Sequence, residues 1–146
     1  MLKAGIERVI LGTAAVEDPA LIKQACQRFG ENIIVGIDAR DGYISIQGWR
    51  KDTGLTTLEF AQAMVKLGVR RFIYTDISRD GTLTEPNFSA TAELVHEIRR
   101  PVIASGGVSS LNHLRMLKAL GVEGAIVGKA LYTGDIDLKE ALATIS

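Results

Sequence analysis

The sequence has few of the features that mark secreted, membrane or nucleic-acid-binding proteins. Cys26 is the only cysteine in 146 residues, so no disulfide can form within the chain, and its helical surroundings favour a packing role. Lys plus Arg and Asp plus Glu both number 17, which leaves no basic excess for a nucleic-acid partner. No apolar run approaches the roughly 20 residues of a membrane span, and the start "MLKAGIERVI" lacks signal-peptide organisation. We therefore expect a cytoplasmic protein without a membrane partner.

Five short apolar runs rich in Val and Ile recur along the chain. They do not alternate polar with apolar residues, which is typical of parallel strands buried on both faces. Amphipathic stretches long enough for crossover helices separate them, with Asp18 and Pro19 placed to start one helix and Gly30, Gly68 and Gly121 placed to end others. The pattern predicts repeated βα units in one α/β domain covering residues 1–146. The runs are "RVILG", "IIVGID", "RFIYTD", "VIASGG" and "GAIVGK", starting at Arg8, Ile33, Arg71, Val102 and Gly124.

One internal repeat joins the end of a helix to the start of a strand. "MLKAGIERVI" from Met1, "MVKLGVRRFI" from Met64 and "MLKALGVEGAI" from Met116 each run through a glycine into an apolar segment. By this analogy the chain is expected to begin in the last turn of a helix whose beginning is absent.

A second repeat has a longer period. "GIERVILGTA" from Gly5 and "GVEGAIVGKA" from Gly121 share glycine, glutamate, isoleucine, glycine and alanine in register, 116 residues apart. Half of a (β/α)₈ barrel has about this length, although chance convergence on a common strand-plus-glycine pattern is the alternative. Five units are too few to close such a barrel, which takes about 250 residues. The sequence therefore predicts either an open sheet or a partial barrel that lacks its N-terminal units.

Ligand sites in parallel α/β folds lie beyond the carboxyl ends of the strands, so the residues that follow each apolar run are the candidates. Carboxylates follow two of the runs and glycines follow the other three. The candidates are Gly12 and Thr13, then Asp38 and Arg40, then Thr75, Asp76 and Asp80, then Ser105, Gly106 and Gly107, and finally Gly128 and Lys129.

The glycine-bearing ends predict phosphate binding. Glycines before a helix start let backbone N–H groups approach an anion, and "SGGVSS" and "GKALYTG" match the phosphate site formed by the last two loops of a barrel. The alternative is that these glycines only make tight turns.

Asp38 directly follows "IIVGI" and should stand at the mouth of the site above apolar walls. Desolvation there would raise its pKa, as a general acid requires, whereas a carboxylate that caps a loop or pairs with Arg40 would be structural. Trp49 lies in "GYISIQGW", a segment that resembles a hairpin over the mouth, and either stacks on a planar ligand or packs. His96 and His113 have no ligand-spaced partner, so we expect no metal site.

The motifs "GIDARDGYISIQGW", "YTDISRDGTL", "ASGGVSS" and "GVEGAIVGKALY" resemble one family over essentially the whole chain. This is the phosphoribosylformimino-aminoimidazole carboxamide ribotide isomerase of histidine biosynthesis, a (β/α)₈ barrel that converts an aminoaldose to an aminoketose by Amadori rearrangement. The resemblance implies that the strands here are the fourth to eighth of that barrel. It also implies a bis-phosphorylated small-molecule substrate and no cofactor.

The resemblance assigns roles to individual residues. Asp38 corresponds to the general acid, and Thr75 and Asp80 line the centre of the site. Trp49 corresponds to a loop residue that packs on the substrate. Gly106, Gly107, Gly128 and Lys129 belong to one phosphate site, and Gly12 and Thr13 form part of the other. Ser105 is a further substrate-binding candidate. The family's base lies at the end of the first strand, outside this chain, so we expect the isolated chain to need a complementary half.

Two alternative functions stay open. The sister barrel that synthesises imidazole glycerol phosphate shares the phosphate loops and the half-barrel repeat, although its fifth strand is not expected to lead into "DGYISIQGW". A non-catalytic phosphate-binding fragment would need only the glycine loops. In each case five strands leave sheet edges and an apolar face uncovered, which predicts self-association.

Overall fold

The computed structural model describes residues 4–45, 52–80, 82 and 84–145. Strands and helices alternate through most of this length, as the apolar runs predict. The elements in chain order are β1 (Val9–Leu11), α1 (Thr13–Glu17), α2 (Pro19–Phe29), β2 (Ile33–Arg40), β3 (Tyr43–Ser45), β4 (Asp52–Thr56), α3 (Thr57–Lys66), β5 (Phe72–Asp76), α4 (Phe88–Ile98), β6 (Val102–Ser105), α5 (Leu111–Leu120), β7 (Gly124–Ala125), α6 (Lys129–Thr133) and α7 (Leu138–Ile145).

Local signals in the sequence set several helix boundaries. The Asp18 carboxylate accepts a hydrogen bond from the backbone N–H of Leu21 at 3.2 Å, and Pro19 begins α2, as predicted. Thr56, Asn87 and Ser110 cap α3, α4 and α5 in the same way. Gly30 and Gly121 follow the last residues of α2 and α5, where positive φ angles end the helices.

Five strands run parallel and in chain order across the sheet. β1 pairs with β2, β2 with β5, β5 with β6, and β6 with β7. A β-hairpin turns at Asp41 and Gly42, both with positive φ, so that β3 pairs antiparallel with the carboxyl end of β2, and β4 pairs with β3. In the described residues β1 and β7 each pair with one strand only, so the sheet is an open, partial (β/α)₈ barrel.

The two faces of the sheet differ in burial. One face packs against the helices, and its residues Val35, Phe72 and Tyr74 are almost fully buried. We call the opposite face the inner face. It is partly open, with Ile10 57% exposed and Ile126 45% exposed. The inner face comprises Ile10, Ile34, Gly36, Asp38, Ile73, Thr75, Ile103, Ser105, Gly124 and Ile126, which the strand registers place on one side.

None of the helices in the described ranges is long and apolar enough to cross a membrane.

Candidate functional site

Three predicted site residues form a row across three neighbouring strands. Asp38 of β2 is the register partner of Thr75 of β5, and Thr75 is the register partner of Ser105 of β6. All three side chains are half-buried on the inner face, near the carboxyl ends of their strands. The parallel register therefore brings together a carboxyl group and two hydroxyl groups from segments far apart in sequence.

Asp38 is half-buried near the carboxyl end of β2. It lines a small cleft with Gly12, Ile37, Ile44 and Phe60. Burial raises the pKa of Asp38 above its ordinary value, and the nearby Asp80 carboxylate raises that pKa further. No ion pair joins Asp38 to Arg40, although both residues are described, so the structure gives no support to the pairing alternative. A carboxyl group with a raised pKa stays protonated to a higher pH than an ordinary one, which favours a role as a proton donor.

A second cleft, which we call the glycine cleft, contains the other predicted residues of the last three strands. Its volume is about 80 Å³, and Asp80 forms part of its lining. Gly106 and Gly107 have φ angles of +98° and +80°, which turn the chain sharply after β6. The rest of the lining includes Ser105, Gly128 and Lys129. The cleft thus collects the residues that sequence reasoning assigned to one phosphate site.

Close packing between two loops also requires glycine at these two positions. A Cβ atom at Gly106 would lie 2.8 Å from the Asp76 carbonyl oxygen, and one at Gly107 would overlap the Glu85 carbonyl group. No larger residue fits at either position, whether or not an anion binds. The tight-turn alternative therefore accounts for the glycines themselves, and phosphate binding in the glycine cleft stays a prediction.

The 116-residue repeat extends to backbone conformation. Gly12 has φ −106° and ψ −100°, and Gly128 has φ −108° and ψ −100°. The same hydrogen bond follows each glycine: Ala15 N–H donates to the Gly12 carbonyl at 2.9 Å, and Leu131 N–H donates to the Gly128 carbonyl at 3.1 Å. Gly12 lines the Asp38 cleft and Gly128 lines the glycine cleft. Two loops of one geometry therefore stand on opposite sides of Asp38 and Thr75.

Asp76 corrects one expectation from the sequence. We expected both Thr75 and Asp76 to end their strand on the active face, but Asp76 is 4% exposed on the helix side of the sheet. Its carboxylate accepts hydrogen bonds from the Ser78 N–H at 3.0 Å, the Ser78 hydroxyl and the Asn87 side-chain amide at 2.8 Å. Burial alone would raise the pKa of Asp76, but these hydrogen bonds and the Arg79 charge outweigh it and lower that pKa. Asp76 is a structural anchor for the loop that follows β5.

Some predicted residues receive no structural test. Trp49 lies outside the described residues, so its contact with a ligand stays a prediction. Thr13 begins α1 directly after Gly12. Over the described part of the chain, no three residues among His, Cys, Asp and Glu are grouped so that they could hold a metal ion. His113 instead accepts a hydrogen bond from the Ser109 N–H through Nδ1, at 3.1 Å.

The fold and the site together define a class: a (β/α) barrel protein whose glycine-rich loops surround a carboxyl group at the carboxyl ends of its strands. The family model described as "Histidine biosynthesis protein" matches residues 1–137. The chain belongs to this family.

Named relatives agree with the family assignment. One from Dehalococcoides mccartyi (strain CBDB1) is 60% identical over 146 residues, which is 100% of this chain and 60% of the relative. One from Roseiflexus castenholzii is 56% identical over 142 residues, 97% of this chain and 60% of the relative. Both are named 1-(5-phosphoribosyl)-5-((5-phosphoribosylamino)methylideneamino) imidazole-4-carboxamide isomerase. The chain spans about 60% of the length of these relatives.

Proposed function

We propose that this chain supplies strands four to eight of an isomerase of histidine biosynthesis. The reaction is the Amadori rearrangement of the phosphoribosyl-formimino-aminoimidazole carboxamide ribonucleotide, an aminoaldose, to the phosphoribulosyl aminoketose. The observation that carries the proposal is the position of Asp38. Its carboxyl group, with a raised pKa, lies between two glycine loops of matching geometry.

The rearrangement needs an acid and a base. Protonation of the ribose ring oxygen lets the bond between that oxygen and C1 break, and removal of the proton from C2 then leads to the ketose. Asp38 is the proposed acid because burial and Asp80 favour its protonated form. In the family this chain resembles, the base is an aspartate at the end of the first strand, which this chain does not contain. We therefore propose that turnover requires a complementary set of strands.

The substrate carries two phosphoryl groups, and the proposal places one at each glycine loop. In the glycine cleft, backbone N–H groups near Gly106, Gly107 and Gly128 would donate to the phosphoryl oxygens, and Lys129 would supply a positive charge. At the other end, Gly12 and Thr13 would contribute to the second site. The matched conformations of Gly12 and Gly128 support this arrangement. The proposal involves no metal or organic cofactor.

The partly exposed inner face supports the proposed need for a partner. Ile10 and Ile126 lie near its two edges and are 57% and 45% exposed. In a complete barrel this face would point into the interior, where layers of branched side chains fill the space. We propose that the first three strands of such a barrel cover it, and that copies of the chain alone associate through it. The cytoplasmic location stays a prediction.

The decisive experiment restores the barrel. The chain is mixed with a separately expressed N-terminal segment taken from one of the relatives, and conversion of the aminoaldose is followed spectroscopically. We expect isomerisation in the mixture and none with either part alone. Isomerisation absent from a mixture that forms a stable complex would refute the proposal. Two further assays separate the alternatives: ring closure with an ammonia source would indicate the sister barrel, and phosphate binding without either reaction would indicate a non-catalytic fragment.

A further inference from the structure

Two loops at the carboxyl ends of neighbouring strands are joined directly. The β5–α4 connection (residues 77–87, of which 81 and 83 are not described) carries Asp80, and the β6–α5 loop (residues 106–110) carries the glycines of the glycine cleft. The backbone at Gly107 lies so close to the Glu85 carbonyl group that no side chain fits between them. The Ser109 hydroxyl donates a hydrogen bond to the Thr84 carbonyl at 2.9 Å. Ser109 is thus the side chain that joins the two loops.

His113 holds Ser109 in place. The Ser109 backbone N–H donates to His113 Nδ1 at 3.1 Å, and the His113 backbone N–H donates to the Ser110 hydroxyl at 3.1 Å. The Phe88 ring meets the imidazole edge-on, with 5.7 Å between ring centroids. Burial lowers the pKa of His113, and the Glu85 carboxylate only partly opposes this effect, so Nδ1 remains an acceptor at neutral pH. The imidazole therefore fixes the position of Ser109 at the first turn of α5.

The β5–α4 connection is also held at its ends. Asp76 accepts hydrogen bonds from Ser78 at the start of the connection and from Asn87 at its end. The Arg79 guanidinium donates to the Glu85 carbonyl at 3.0 Å. These contacts restrain the described residues at both ends of the connection. The Thr82 hydroxyl donates to the Arg79 carbonyl at 2.6 Å and lies 2.7 Å from the Thr84 hydroxyl. Hydrogen bonds between described residues therefore lead from Thr84 to Arg79, which directly precedes Asp80.

We propose that Ser109, held by His113, is a positioning residue that couples a phosphoryl group in the glycine cleft to the placement of Asp80 beside Asp38. An anion bound to the β6–α5 loop fixes that loop, and the Ser109 to Thr84 hydrogen bond passes the restraint to the β5–α4 connection. Because coupling between two sites is reciprocal, fixing the connection also strengthens anion binding. The proposal rests on the proposed function for the identity of its ligand. It adds Ser109 and His113 to the residues that position the site.

Amide hydrogen exchange of the full chain, with inorganic phosphate as the probe, tests the coupling. Three backbone N–H groups report on the connection, because those of Ser78, Arg79 and Thr82 donate to Asp76 Oδ1, the Asp76 carbonyl and the Arg79 carbonyl. Saturating phosphate should slow their exchange by at least about fivefold. Ser109→Thr, which keeps the hydroxyl, should retain the effect. Ser109→Ala should lose it while phosphate still binds.

Control variants separate coupling from folding. Ser89 is exposed on α4, and Ser89→Ala should behave as the unmodified chain. If Ser109→Ala does not fold, His113→Ala takes its place and should lose the same protection. The proposal would be overturned if phosphate protected the three amides in the Ser109→Ala or His113→Ala variant as strongly as in the unmodified chain. So would unchanged exchange in the unmodified chain at saturating phosphate.

Kinetics in the restored barrel separate this proposal from the proposed function. Ser109→Ala should lower kcat about tenfold, with a smaller effect on KM, because Asp80 is then misplaced beside the acid Asp38 after substrate has bound. Absence of isomerisation in the unmodified barrel would contradict the proposed function and leave the exchange result intact. Full isomerase activity in the Ser109→Ala barrel would contradict the positioning role alone.

Discussion

Asp38 and Thr75 are register partners on adjacent parallel strands, and both side chains lie half-buried on the inner face. Residues paired in this way have side chains that point to the same side of the sheet, so the hydroxyl of Thr75 stands next to the carboxyl group of Asp38. A substrate lying across the strand ends would contact both.

The first prediction concerns turnover. In the restored barrel, Asp38→Asn should reduce kcat by about 100-fold or more, because the amide cannot donate the proton that opens the ribose ring. KM should change little, since the amide keeps the shape of the side chain. Steady-state kinetics measure both constants. Equal losses in binding and in turnover would instead indicate a structural role for Asp38.

A second prediction concerns the pH dependence of stability. The pKa of Asp38 is raised in the folded chain, so the folded state binds more protons than the unfolded state at pH values between the ordinary and the raised pKa. Stability should therefore fall as pH rises through this window. Asp38→Asn should raise the melting temperature at pH 7, and the difference should vanish below the ordinary Asp value of 3.8. Thermal melts over a pH series test this, and a constant difference at all pH values would contradict it.

The anchor at Asp76 gives a third prediction. Asn87→Ala removes the N-cap of α4, which contributes about 1 kcal/mol at any pH, and a hydrogen bond to a buried carboxylate, which contributes about 1.5–3 kcal/mol of unfolding free energy at pH 7. The pKa of Asp76 is lowered, so the second contribution should be present above pH 3.8 and lost as pH falls through the lowered pKa. Urea denaturation measures the cost. The Ser89→Ala variant on the same helix should change stability by less than about 0.5 kcal/mol.

A fourth prediction compares two glycines with similar backbone angles. Gly107 has φ +80° and lies against the Glu85 carbonyl group, whereas Gly134 has φ +83° and open space around its Cα. Gly134→Ala should cost about 1 kcal/mol, from backbone strain alone. Gly107→Ala should cost clearly more, because the methyl group must also displace the β5–α4 connection. Equal costs in urea denaturation would show that the two loops do not pack closely in solution.

The fifth prediction concerns self-association of the chain alone. Ile126→Lys places a charge on the open inner face and should shift the chain towards monomer in sedimentation velocity. Leu21 on α2 is similarly exposed, at 42% against 45% for Ile126, but lies outside the inner face, so Leu21→Lys is the matched control. Dissociation by both variants to the same extent would argue against association through the inner face.

Sequence reasoning located the five parallel strands because runs of Val and Ile without alternation occur where both faces of a strand are covered. It also located the helix start at Asp18 and Pro19, which depends on atoms only three residues apart. Asp76 was assigned to the wrong face. Neighbouring residues in a strand point to opposite sides, and applying that alternation to Thr75 and Asp76 would have separated them.

The contacts between loops could not be predicted from local patterns. Ser109 and Thr84 are 25 residues apart, and the motif "SGGVSS", which contains Ser109, does not indicate Thr84 as a partner. Asn87 caps α4 through a hydrogen bond to Ala90, three residues away, but its second role at Asp76 depends on where the β5–α4 connection returns. The need for glycine at 106 and 107 likewise comes from the backbone of a neighbouring loop.

The matching backbone geometry at Gly12 and Gly128 affects the orientation in which a ligand with an anionic group at each end binds. If both ends of the ligand carry the same anionic group, the two loops alone cannot tell one end from the other. Orientation must come from what differs around them: Thr13 follows one glycine, and Lys129, which lines the glycine cleft together with Asp80, follows the other. Exchanging these two flanking residues, rather than the glycines, should then reverse the orientation of the bound ligand.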